Sequence, residues 1–141
     1  MKQHTIVLAG MLALLPLSAA FAGTSNVTVY HDPKCGCCTG WVDHMRESGF
    51  TVTAITTGDV ASMKAKLGVP ESLGSCHTAV FPETGQVVEG HVPASAVRKM
   101  LADPSVKGVA APGMPTNAPG MGPLDGNLIT VDFQGKPFSR D

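Results

Sequence analysis

Three of the chain's 4 cysteines, Cys35, Cys37 and Cys38, fall within four consecutive residues around Gly36. Thiols this close together cannot close the long loops that give a structural disulfide framework its effect. The crowding therefore points to chemistry on sulfur, and two kinds fit. Cys35 and Cys38 have the C-x-x-C spacing of a redox-active disulfide, which makes thiol–disulfide exchange one reading. Cys37 is a third thiol that such a pair does not need, and a Cys37–Cys38 bridge between adjacent residues would be strained. A soft d¹⁰ ion that accepts two or three thiolates, with sulfurs bridging several ions, uses the extra thiol. Cys76 supplies the fourth sulfur. Structural zinc sites pair two separated knuckles, and three ligands from four consecutive residues strain a tetrahedron around one ion, so copper(I), singly or as a multinuclear thiolate cluster, ranks above zinc.

The elements that must bring these sulfurs together follow from periodicity. Asn26 to Tyr30 alternates and is β-branched, which predicts a strand, and His31-Asp32-Pro33-Lys34 is the turn that ends it. From about Cys37 to Glu47, Cys38, Trp41, Val42 and Met45 recur at three- and four-residue spacing, the stripe of an amphipathic helix stopped by Gly49. The cysteines then sit at a helix N-terminus, where free N–H groups and the helix dipole favour thiolates.

A second strand is expected over Phe50 to Thr56, followed by a helix capped by Asp59 and ended by Gly68 and Pro70. Thr78 to Phe81 and Gln86 to Glu89 read as a hairpin around Pro82-Glu83-Thr84-Gly85. A helix entered at Pro93 follows, ending before Asp103-Pro104. Gly108 to Gly126, rich in glycine and proline, is expected to be one long irregular loop, and Leu128 to Phe133 a closing strand. This order is that of a thioredoxin-like α/β sandwich with a mixed central sheet and a long Gly/Pro/Met loop near the C-terminus. In it, Cys76 lies just before the third strand, whose start faces the first helix's N-terminus.

Softer candidates surround the thiols. Met114 and Met121 lie in the expected loop, with little core to fill, and thioethers suit copper(I). His77 is a candidate ligand beside Cys76, although in an extended segment it would point to the opposite face. His91 is read as an outer contact, an additional ligand or a hydrogen-bonded structural histidine. His44, seven residues after Cys37, is too far along the helix to share an ion and is expected to be solvated.

Residues 1–22 read as a secretory leader: Lys2, an apolar run from Ile6 to Leu17 shorter than a bilayer span, then Ala20-Phe21-Ala22 before the cut. Residues 23–141 are expected to form one exported, periplasmic metal-binding domain. The net charge of −1 carries no electrostatic footprint for nucleic acid or for an anionic membrane surface, so neither is expected as a partner once the leader is removed.

Several separated motifs together carry a resemblance. The run Tyr30-His31-Asp32-Pro33-Lys34-Cys35-Gly36-Cys37-Cys38 is joined by Trp41-Val42, Leu67-Gly68-Val69-Pro70 and Ser75-Cys76-His77-Thr78-Ala79-Val80. Glu89-Gly90-His91-Val92-Pro93 and Pro112-Gly113-Met114-Pro115 complete the set. Across the mature chain these resemble the CopG-type family of small exported copper-resistance proteins, also catalogued as domain of unknown function 411. The resemblance implies a thioredoxin-like fold, copper on Cys35, Cys37, Cys38 and Cys76, and a role in periplasmic copper tolerance. It leaves open an interconversion of copper(I) and copper(II), and the partners in view are copper ions and other periplasmic copper-handling proteins, with storage and transfer not distinguished by the sequence. His31 departs from the family pattern and is not assigned a ligand role.

Overall fold

β1 (Asn26–His31) is a central strand because its alternation buries Val27 and Val29 on one face, as the sequence requires. The computed structural model describes residues 25–141, and the leader expected over residues 1–22 lies outside them. α1 (Gly36–Glu47) follows β1 and buries the stripe Cys38, Trp41, Val42 and Met45. It returns the chain to β2 (Thr51–Thr56), which pairs parallel with β1. α2 (Val60–Lys66) starts where the Asp59 side chain accepts the Ser62 N–H at 3.1 Å, the cap predicted for it. β3 (His77–Val80) and β4 (Val87–Gly90) form the expected antiparallel hairpin, with β3 also antiparallel to β1.

The strand order across the sheet is β2-β1-β3-β4, continued by β5 (Gly108–Ala111), β6 (Ile129–Asp132) and β7 (Pro137–Arg140). α3 (Ala94–Leu101) connects β4 to β5, which pair parallel. Here the expectation of an unbroken loop from Gly108 is corrected, because its first four residues form a strand buried between β4 and β6. Small side chains suit that place: a Cβ at Gly108 would lie 2.4 Å from the Phe133 ring. The irregular stretch therefore begins only at Pro112.

The two faces of the sheet are covered differently. Ala79 and Val88 point into one apolar cluster shared by Trp41, Val42 and Met45 of α1 with Ala96, Val97 and Met100 of α3. Their neighbours Thr78 and Glu89 must point the other way, and there they meet Lys64 of α2.

His44 is half-buried rather than solvated. Its Nε2 accepts the N–H of Ala94, the first residue of α3, one of the donors that a helix start leaves unpaired. Burial lowers its pKa below 6.5, partly offset by the Glu47 carboxylate. A lowered folded-state value means that the unfolded chain binds more protons, so this contribution is complete above about pH 6.5 and is lost as pH falls below it. Denaturant titrations between pH 5 and 7.5 are expected to show stability falling on acidification. His44→Leu should reduce the slope by a fraction of the about 1.4 kcal/mol per pH unit that one proton contributes, the fraction set by the ring's partial exposure. An unchanged slope would contradict the assignment.

Candidate metal centre

The turn before α1 places the first sulfur. Asp32 accepts the Lys34 N–H on Oδ1 at 2.8 Å and the Cys35 N–H on its carbonyl at 3.0 Å, leaving Cys35 as the N-cap residue with no side-chain cap. Cys37 and Cys38 then lie in the first turn of α1, among N–H groups whose partners are not intrahelical. Cys35 and Cys38 are joined as a disulfide, while Cys37 and Cys76 are free thiols. Cys35 Sγ lies 3.4 Å from Cys37 Sγ, and Cys38 Sγ 3.6 Å from Cys76 Sγ. All four sulfurs lie within 4.8 Å of one another, although residue 76 comes from the other side of a long sequence gap. Cys38 is fully buried and the other three are partly exposed, so the cluster opens to solvent on one side.

Cys76 also belongs to a second group with His77 and His91, whose ligand atoms again lie within 4.8 Å of one another. Cys76 Sγ is 3.3 Å from His77 Nδ1 and 3.0 Å from His91 Nε2. The expectation that an extended segment turns His77 away from Cys76 is corrected, because β3 begins only at His77 and both side chains reach the same point. The carbonyl of Pro119, which can only accept, lies 2.7 Å from His91 Nδ1. His91 must therefore carry its proton on Nδ1, which leaves a lone pair on Nε2 facing the Cys76 sulfur.

Burial sets the protonation of this half of the site. Desolvation lowers the pKa of His91, with the Pro119 carbonyl opposing, and lowers that of His77 well below 6.5. The fields of His91, Lys64 and His31 push His77 further down, and the Gly90 carbonyl opposes them. Both rings are thus neutral near pH 7 and available as nitrogen donors. Among the described residues His77 Nε2 is buried without a hydrogen-bond partner, and the ring is held between Trp41 and His91 at centroid distances of 4.6 and 4.9 Å. The Cys76 thiol is pushed up to about 11 by burial first and by Cys37 second. A positive charge introduced among the sulfurs would reverse that penalty.

The loop predicted to carry methionines folds over the start of α1. Gly120 rests on the helix backbone at Gly40: a Cβ at Gly40 would come within 2.9 Å of Gly120 Cα, and one at Gly120 within 2.7 Å of the Cys37 carbonyl. Only two glycines allow this approach, and it carries Pro119 to His91. Met114 is half-exposed beside Ser75, its Sδ 4.0 Å from Ser75 Oγ, and Met121 is partly buried next to Gly120. The cluster thus joins Cys35, Cys37, Cys38, Cys76 and His77 with His91. Met114 and Met121 stand in the covering loop, Met114 one residue along from the carbonyl that holds Ser75.

A family described as protein of unknown function, DUF411, matches residues 73–121, the stretch that holds Cys76, His77, His91 and most of the covering loop. Two solved structures named copper resistance protein CopG, Form 1 and Form 2, are each 36% identical to this chain. They superpose with TM-scores of 0.73 and 0.72, covering 84% and 83% of this chain and 98% of their own. Among curated proteins none matches.

Proposed function

Because the chain belongs to the CopG family of copper-resistance proteins, we propose that it is an exported, periplasmic protein that holds copper(I) on Cys35, Cys37, Cys38 and Cys76 as part of copper tolerance. The observation that carries this reading is the convergence of four sulfurs within 4.8 Å at the N-terminus of α1. Soft thiolates select copper(I), and sulfurs this close can bridge more than one ion. His77 and His91 border the site as neutral nitrogen donors, and Met114 and Met121 supply thioethers from the covering loop. The order β1-α1-β2-α2-β3-β4-α3, with strands arranged β2-β1-β3-β4, supports a thioredoxin-like frame extended by β5 to β7. Residues 1–22 act as the leader and residues 23–141 as the metal-binding domain.

Copper is cargo here, and the Cys35–Cys38 disulfide withholds two of its ligands. Loading all four sulfurs requires that bond to take up two electrons and two protons from a reductant.

That same disulfide favours a second reading, a thiol–disulfide oxidoreductase working through Cys35 and Cys38. The other two thiols weigh against it. A C-x-x-C pair needs neither of them, yet Cys37 and Cys76 lie within 4.8 Å of both its sulfurs, an arrangement that suits shared coordination.

Anaerobic incubation with copper(I) and a competing chelator separates the readings. The reduced protein is expected to retain copper(I), and to keep it in preference to zinc, with at least about tenfold less retained by the disulfide form. Catalytic turnover of a test dithiol by a protein whose reduced form retains no copper would establish the second reading in its place.

A further inference from the structure

Glu89 is a carboxylate in the middle of β4 with no solvent exposure at all. Its Oε1 accepts from the Lys64 ammonium and, at 2.6 Å, from the backbone N–H of Ser75, while Oε2 accepts from the Thr78 hydroxyl. Lys64 also donates to the Thr78 oxygen at 2.9 Å and is itself only one-fifth exposed. A buried ion pair of this kind adds little net stability over an apolar pair, because desolvating both charges offsets their attraction. What it adds here is location. The one backbone group it holds is the amide directly before Cys76.

The residues around Glu89 tighten the same contact. At Gly90, with φ of 73°, a Cβ would come within 2.6 Å of the Ser75 Cβ, so Ser75 packs flat on the β4 backbone. The Ser75 hydroxyl donates to the Gly113 carbonyl at 2.6 Å, and the Gly113 N–H donates to the Gly74 carbonyl at 3.2 Å. Two residues beyond Glu89, the His91 ring meets the Cys76 sulfur. Glu89, Gly90 and His91 therefore grip the segment 74–76 at its amide, its side chain and its sulfur. Cys37 and Cys38, by contrast, are placed by the first turn of α1 and Cys35 by its N-cap position, and the hydrogen bonds that Glu89 accepts come from Lys64, Ser75 and Thr78.

We propose that Glu89, charge-balanced by Lys64, is a positioning residue for the metal centre: by holding the Ser75 amide it keeps the Cys76 sulfur within bridging distance of the sulfurs on α1. The proposal rests on the reading of Cys76 as the fourth ligand, and it makes a statement about sulfur placement that can be tested without metal.

The experiment compares two engineered disulfides in the full chain. With Cys35→Ser and Cys37→Ser, only Cys38 and Cys76 remain, and their equilibrium with a glutathione buffer reports the effective concentration of one sulfur at the other. With Cys37→Ser and Cys76→Ser, the same equilibrium reports Cys35 and Cys38. Glu89→Ala is expected to lower the Cys38–Cys76 value about tenfold, the worth of a hydrogen bond to a charged acceptor, and to leave the Cys35–Cys38 value unchanged. Glu89→Gln, which still offers the Ser75 amide an oxygen, should lower it less, and it carries the comparison alone if the alanine variant does not fold. An unchanged Cys38–Cys76 equilibrium, or an equal fall in both pairs, would overturn the proposal. Failure of the wild-type chain to retain copper(I) would instead overturn the functional reading, and the two results are independent.

Discussion

Cys37→Ser is expected to reduce copper(I) retention by the reduced protein at least about a hundredfold, since even the removal of a group that merely orients a ligand costs 10- to 100-fold. Cys76→Ser should do the same. Both variants keep Cys35 and Cys38, so the disulfide between these residues should form and reduce as in the wild type. The contrast arises because Cys37 and Cys76 lie outside the C-x-x-C pair yet within 4.8 Å of both its sulfurs. Competition against a copper(I) chelator of known affinity measures the first effect, and the glutathione equilibrium of the disulfide measures the second. Equal copper retention by wild type and Cys37→Ser would remove the reason for the third thiol. Retention by the wild type should also rise with pH in the neutral range, because thiols must release protons to bind metal and burial, with Cys37 beside it, pushes the Cys76 thiol up to about 11.

The second large effect concerns the support behind the site. Trp41 is fully buried in the core shared by α1 and α3, donates its indole N–H to the Val92 carbonyl at 2.8 Å, and packs against the His77 ring at a tilt of 43°. Trp41→Ala is expected to destabilise the fold by about 3–5 kcal/mol through the cavity, with roughly 1–3 kcal/mol more where the Val92 carbonyl is left without a donor. Trp41→Phe keeps most of the ring volume and loses the donor, so its cost should fall in the lower of these ranges. Urea denaturation at neutral pH reads both. A loss below 1 kcal/mol for the alanine variant would mean that Trp41 is not the joint between core and site described here.

How far the sequence exposed this arrangement depended on the range of the interactions involved. The stripe Cys38, Trp41, Val42 and Met45 has helical spacing, so α1, its buried face and the placement of the cysteines at its start were all legible. Cys76 could be placed before β3 because the hairpin that follows has a strong local signature. β5 escaped because Gly108-Val109-Ala110-Ala111 has neither alternation nor bulk, and it is a strand because β4 and β6 flank it and Phe133 fills the space over Gly108. β7, opened by Pro137, was not anticipated for a similar reason: its pairing with β6 is what makes it a strand.

Within the site the same distinction holds. Sulfur spacing was visible, but the hydrogen bond that fixes the His91 tautomer comes from Pro119, 28 residues away, through a loop whose composition suggested only irregularity. His44 looked like a surface residue of α1 because its partner, the Ala94 N–H, is 50 residues distant. Glu89 did leave a trace. A carboxylate flanked by Val87, Val88 and Gly90 in a strand otherwise buried throughout must have a partner. Naming Lys64 as that partner needed the packing of α2 on the sheet.

The central claim is that four sulfurs act as one copper site, and mass spectrometry of the reduced, anaerobically copper-loaded chain after a pulse of thiol alkylation tests it most directly. The predicted spectrum shows more than one copper per chain with all four cysteines unmodified, against four alkylations in the metal-free control. A spectrum with copper bound but Cys76 alkylated as fast as in the control would contradict the account.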